Sequence, residues 1–132
     1  MYDCIIIGAG PAGYSAAIRA GQLGMKTVLI EQAKIGGMCL NWGCVPARGM
    51  LESARVLQTI RKASDFGIEI GENVSLSFSW KKALARTKKI TEQLAGNIGK
   101  LLSKYAVETM QGRAEITGPG LVSMNNRGLE TK

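Results

Sequence analysis

Apolar positions along the chain follow two different periods. Tyr2-Asp3-Cys4-Ile5-Ile6-Ile7 is β-branched and nearly continuous in hydrophobicity, as in a strand buried on both faces of a parallel sheet. Glycines follow at once, then an alanine-rich helical stretch from Ala12 to Leu23 that Gly24 can cap. Thr27-Val28-Leu29-Ile30 is a second short buried strand, so the opening of the chain predicts a β–α–β unit.

The period then lengthens. Ala33 to Gly43 is glycine-rich and predicts a loop, with a helix from about Asn41 to about Ser64 carrying an untidy stripe of Leu51, Ala54, Val56 or Arg55, Leu57 or Gln58, and Ile60. Phe66 to Ser77 predicts a linker with weak strand character, and Ser79 an N-cap. Beyond it Trp80, Ala83, Leu84, Ile90, Leu94, Ile98, Leu101, Leu102 and Tyr105 recur at helical spacing. Gly96 and Gly99 each lower that helix's propensity by about 1 kcal/mol relative to alanine, and close packing against another element would account for them. Ala106–Met110, Arg113–Thr117 and Leu121–Met124 are short β-like runs separated by Gly112 and Gly118-Pro119-Gly120, which predicts a small antiparallel meander. The polar residues up to Lys132 predict no closing element.

At 132 residues the chain is one domain's worth, and its 45% apolar and 20% charged residues are ordinary for a globular protein. No apolar run reaches the ~18 residues of a membrane span. The Cys4–Ile7 stretch is too short, and lacks the basic flank, for a secretory signal; a cytoplasmic location follows as the expectation. The net charge of +7 fits a solvated surface, an acidic counterpart elsewhere, or an anionic ligand. Nucleic acid is not expected, because the basic residues are dispersed and no aromatic residues interleave with them. Lys81, Lys82, Arg86, Lys88 and Lys89 cluster at a spacing that suits the wet side of a helix. There is no histidine, which excludes within this chain a histidine base, a Ser-His-Asp triad or a His-ligated metal.

Gly8-Ala9-Gly10-Pro11-Ala12-Gly13 is G-x-G-x-x-G between a strand and a helix, the context in which the motif binds a dinucleotide. Gly8 permits the tight turn, Gly10 lets a pyrophosphate approach the backbone, and Gly13 lets helix and strand pack. The helix start, with Pro11 in its first turn and Ala12 beside it, offers free N–H groups to phosphate. Glu31, at the end of the second strand, can accept both ribose hydroxyls of an adenosine and would repel a 2′-phosphate. These features do not separate FAD from NAD. They predict an α/β fold: a partial Rossmann-like domain of parallel β–α–β, further helices and the meander.

Of the three cysteines, Cys4 falls mid-strand and is expected in the core. Three thiols without histidine cannot make the usual zinc site, and a structural disulfide is not expected without export. Cys44 is expected in the first turn of the helix that starts at about Asn41, and Cys39 just before it, where a helix N-terminus favours a thiolate. Two thiols in unequal surroundings suit disulfide exchange, while buried packing is the bland alternative.

The run Gly36-Gly37-Met38-Cys39-Leu40-Asn41-Trp42-Gly43-Cys44-Val45-Pro46 resembles the redox-active segment of the FAD-dependent pyridine nucleotide–disulfide oxidoreductases, whose pattern is G-G-x-C-x-N-x-G-C-[IV]-P. The resemblance is tight over residues 2–51 and looser to about Val122. It is most similar to the dihydrolipoamide dehydrogenase branch, with glutathione and mercuric reductases as alternatives, and a non-catalytic nucleotide- or partner-binding module as a different class. The resemblance implies that Gly8, Gly10, Pro11, Ala12, Gly13 and Glu31 bind the ADP part of FAD, and that Ala114 meets the adenine. Gln32 and Gly36, Gly37, Met38 and Cys39 would line the flavin side. Cys39 would be the interchange thiol and Cys44 the charge-transfer thiol beside the flavin. Electrons would pass from dihydrolipoamide through this pair and FAD to NAD⁺. Arg48 stands where the family has a lysine near the flavin, and the two cations are not interchangeable. Family members are several hundred residues long. The resemblance therefore implies that residues 1–132 are the N-terminal portion of an FAD-binding domain. NAD and dimerisation domains, and the family's catalytic His-Glu pair, would lie outside it. The chain alone would be inactive. The parent would be a homodimer able to meet 2-oxoacid dehydrogenase complex components.

Overall fold

The structure, a computed structural model, describes residues 1–71, 74–125 and 127–131. Strand β1 (Cys4–Ile7) pairs in parallel with β2 (Thr27–Glu31), in register from Cys4 opposite Thr27 to Ile7 opposite Ile30. Helix α1 (Pro11–Gln22) makes the crossover and ends before Gly24, whose φ of 75° caps it as expected. The undivided apolar run of β2 has a simple cause. Leu29 points into a cluster with Ala9, Ala17, Leu102 and Val107, while Val28 and Ile30 point the other way, into one with Val122. Each such side chain contributes about 1.5–3 kcal/mol by leaving water.

The loop expected over residues 33–43 contains a five-residue helix, α2 (Gly37–Asn41), and the long helix starts only at Cys44. That helix, α3 (Cys44–Arg61), ends in a 3₁₀ turn (Ala63–Phe66). Its expected inward stripe is a correction: Leu51, Val56 and Ile60 face solvent. The face turned to the next helix is made instead of small and flexible side chains. At Gly49 an added Cβ would stand 2.7 Å from Thr87 Oγ1, so glycine allows the approach. Residues 67–71 and 74–79 form no regular element, and residues 72–73 of the expected linker lie outside the described residues.

Helix α4 (Trp80–Lys104) begins at Ser79, whose hydroxyl accepts the Lys82 N–H at 3.4 Å, as the sequence predicts. Its lysines and arginine at 81, 82, 86, 88 and 89 are exposed. Gly96 and Gly99 do not make the close packing expected of them, since a Cβ at either would meet nothing within 4 Å. Replacing Gly96 by alanine is therefore expected to stabilise the chain by about 0.5–1 kcal/mol. A thermal melt that failed to move upward would show that glycine is needed there for another reason.

The tail differs from the expected meander. Ala106 takes a left-handed conformation (φ 54°) after the helix, so the next strand, β3, begins only at Glu108 and ends at Gln111. It pairs in parallel with β2, giving a three-stranded sheet in the order β1-β2-β3. The antiparallel sheet is made of β4 (Ala114–Gly118), β5 (Leu121–Met124) and β6 (Arg127–Glu130). β6 corrects the expectation of no closing element; residues 126 and 132 lie outside the described residues. Val122 of β5 packs on Val28 and Ile30, which seats this small sheet against the parallel one. Among the described residues no helix is long and apolar enough to cross a membrane.

Candidate functional site

The G-x-G-x-x-G turn is built as the motif requires. Gly8 has φ of 94°, a conformation that side chains disfavour. A Cβ on Gly13 would overlap the carbonyl oxygen of Gly8, so the first and last glycines pack backbone to backbone. At Gly10 an added Cβ would meet nothing within 4 Å. The space above the loop is therefore open, and the α1 N-terminus below it has no side-chain cap and no acidic residue in its first turn. Pro11 and Ala12 are exposed there.

Glu31 has a duty that the sequence does not announce. One carboxylate oxygen accepts the Ala9 N–H at 2.7 Å and the other the Ala33 N–H at 2.8 Å. The carboxylate thus ties the end of β2 to the glycine loop, and each oxygen keeps lone-pair capacity for a hydroxyl. Glu31 also lines a cleft of about 450 Å³ with Gly8, Gln32, Gly112 and Ala114. Four residues predicted from widely separated stretches, Gly8, Glu31, Gln32 and Ala114, therefore meet in one hollow. Glu31 faces a further cleft of about 310 Å³ with Ala9, Ala33 and Met110.

The thiol segment rests on the same loop. The Gly36 N–H donates to Ala9 O at 2.8 Å, and a Cβ on Gly37 would stand 2.7 Å from Gly10 Cα. Cys39 lies within α2 rather than in a loop before a helix, and Cys44 is the first residue of α3. Both thiols are free, Cys39 half-buried and Cys44 exposed. The neighbouring Cys44 thiol, through its hydrogen-bonding influence, is the main reason the Cys39 pKa is raised. Burial and the charge on Cys44 push it the same way, while a backbone hydrogen bond with Cys44 pulls it down and is the weakest influence. The lowered pKa expected beside a helix start is therefore corrected at Cys39, where the net direction is upward. Met38 is 70% exposed beside Cys39. Arg48 is exposed one turn beyond Cys44 on α3, on the same helix face. Cys4 is half-buried in β1, less enclosed than expected.

One residue of the G-G-x-C-x-N-x-G-C-[IV]-P pattern has no role assigned to it by the sequence. The Asn41 amide donates to Ile35 O and to Gly37 O, both at 3.0 Å, and so clamps the ends of α2. The sequence marks the position, as the asparagine of that pattern, but not the bonds that it makes.

The family model for pyridine nucleotide-disulphide oxidoreductases matches residues 2–132. The chain belongs to that family. Among pyridine nucleotide-disulphide oxidoreductases it is 40% identical over 131 residues to the dihydrolipoyl dehydrogenase of Acholeplasma laidlawii, covering 99% of this chain and 38% of the relative. It is 42% identical over 122 residues to that of Bacillus subtilis, covering 92% of this chain and 25% of the relative. With the Rhizobium etli dihydrolipoyl dehydrogenase it shares 42% identity over 119 residues, 90% of this chain and 24% of the relative. The chain thus spans between about a quarter and two-fifths of the length of these relatives. The partial α/β fold agrees with the family assignment.

Proposed function

We propose that this chain supplies the dinucleotide cradle and the redox-active dithiol of a dihydrolipoyl dehydrogenase-type flavoenzyme. The observation that carries this reading is the setting of the two thiols: Cys39 lies in α2, which is seated on the G-x-G-x-x-G loop, and Cys44 begins α3 close enough to influence it.

FAD fits the residues present. The open backbone at Gly10 and the uncapped α1 terminus suit a pyrophosphate, and the Glu31–Ala114 cleft suits an adenosine. Gly8, Gly10, Pro11, Ala12, Gly13, Glu31 and Ala114 would hold the ADP part, and Gln32, expected on the flavin side, would join them because it shares the Glu31–Ala114 cleft. Gly36, Gly37, Met38, Cys39 and Arg48 would lie along the remainder. When bound, FAD would supply a two-electron acceptor for the dithiol, with NAD⁺ as the onward acceptor at a site outside these residues.

The chain's own chemistry is thiol–disulfide exchange. With Cys39 and Cys44 joined, one thiolate of dihydrolipoamide attacks the Cys39 sulfur, the S–S bond breaks, and Cys44 leaves as the thiolate. The second substrate thiolate attacks the sulfur joined to Cys39, releasing lipoamide and the Cys39 thiolate. Two electrons thereby move to the protein pair, and the two substrate protons pass to solvent or to a base. Having no histidine, this chain offers no imidazole for that base, so turnover would need one from elsewhere in the assembled protein. Residues 1–132 would then be the front of an FAD domain within a homodimer that works in the cytoplasm alongside 2-oxoacid dehydrogenase components.

The test is reconstitution with FAD, a visible spectrum, and thiol titration before and after dithiothreitol. A yellow protein in which mild oxidation removes the Cys39 and Cys44 thiols together and spares Cys4 is expected. A colourless protein in which these two never pair would end the reading.

A further inference from the structure

We propose that Asn41 is the positioning residue of the thiol pair. The inference rests on the reading of Cys39 and Cys44 as an exchangeable dithiol.

Short helices such as α2 do not hold themselves together. Five residues are too few for helical propensity to matter, and Gly36 and Gly37 both have positive φ, of 99° and 61°. The segment is fixed from its two ends. At the start, the Gly36 N–H donates to Ala9 O, the Gly37 N–H donates to Lys34 O at 3.1 Å, and Gly37 lies against Gly10. At the end, the half-buried amide of Asn41 spends both of its N–H donors on Ile35 O and Gly37 O. Ile35 precedes α2 and Gly37 opens it, so one side chain closes the turn over Cys39. The sulfur of Cys39 hangs from the middle of this closed turn, while Cys44 is held by α3. The distance between the sulfurs is therefore set by how firmly α2 is closed, and Asn41 sets that closure. The same side chain passes the constraint on to the glycine loop, because one acceptor belongs to Gly37, which lies against Gly10, and the other to Ile35, next to the Gly36 that donates to Ala9 O.

The substitution Asn41→Asp tests this with almost no change of shape. A carboxylate would face two carbonyl oxygens that it cannot satisfy, which opens the turn. The readout needs no flavin. The intact chain is equilibrated with glutathione and glutathione disulfide at pH 7, and the extent of reaction is measured by mass. In that reaction the Cys39 and Cys44 S–H bonds are replaced by one S–S bond, and one glutathione disulfide is reduced to two glutathiones. The equilibrium constant is expected to fall by about tenfold or more in Asn41→Asp, roughly 30 mV or more for a two-electron couple, and by less in Asn41→Ala, which removes the donors without adding repulsion. Val122→Ala destabilises the distant core contact with Val28 and Ile30, and is expected to lower the melting temperature while leaving the constant within about twofold. An Asn41→Asp chain that pairs its thiols as readily as the parent, or a Val122→Ala chain that shifts as far as Asn41→Asp, overturns the assignment of Asn41 and leaves the dithiol reading intact. Failure of the parent chain itself to pair Cys39 with Cys44 in any glutathione buffer overturns both.

Discussion

Alanine at position 13 is expected to cost the chain about 3 kcal/mol or more, a large share of the ~5–15 kcal/mol that holds a domain together. Its methyl group would overlap the carbonyl oxygen of Gly8 and stand 2.9 Å from the carbonyl carbon. Neither atom is the movable tip of a side chain. Gly8 is itself pinned at φ 94°, and its N–H donates to Ile30 O at 2.7 Å. Relief therefore requires α1 to move off β1, which strips cover from Ala17 and Leu29. A fall of roughly 10 °C in the thermal midpoint is the expected reading. Gly10→Ala makes the contrast. Its methyl would meet no protein atom within 4 Å and Gly10 has an ordinary φ of −71°, so the midpoint should hold while FAD binding weakens. Equal midpoints for the two variants would refute the division of labour between the glycines.

Cys44→Ala is expected to reduce dithiol-dependent electron transfer in the assembled enzyme by about three orders of magnitude or more, as when one member of a covalent catalytic unit is lost. The variant carries an internal check. Cys39 would lose both the hydrogen-bonding influence and the charge that raise its pKa, leaving burial as the upward influence. Its pKa should therefore come down, and iodoacetamide should modify Cys39 faster at pH 8 in the variant than in the parent. Slower or unchanged modification would mean that the thiols do not sense each other. The sign for stability follows from the same direction. A raised pKa means that the folded chain holds this proton more tightly. The resulting stabilisation is complete below the ordinary thiol range and disappears as pH climbs through the raised value.

The parts of the fold legible in the sequence are those in which a local pattern has a local cause. β1, α1 and β2 are bounded by glycines and filled by unbroken apolar runs, and α4 has both a serine cap and a sustained stripe. β3 was misplaced because its partner, β2, is remote in sequence, and four residues of strand pattern carry no record of which sheet they join. β6 is too polar for its pattern to register, with Arg127, Gly128 and Glu130 around Leu129. α2 is hidden by its glycines, and α3 deceived because Gly49 and its neighbours, not Leu51 and Val56, make the packed face. At the site, motif spacing revealed the glycines, Glu31 and both cysteines. The bonds of Glu31 to Ala9 and Ala33, and of Asn41 to Ile35 and Gly37, were invisible because backbone acceptors and donors leave no mark on residue identity.

The central place of β2 also bears on how the chain is made. A ribosome delivers Val28, Leu29 and Ile30 long before Met110 and Val122, the residues that cover two of them, and before Leu102 and Val107, which cover the third. Throughout that interval the strand that becomes the most deeply buried has only β1 and α1 for company. Chaperone engagement during synthesis should concentrate on this stretch and end once β5 has emerged.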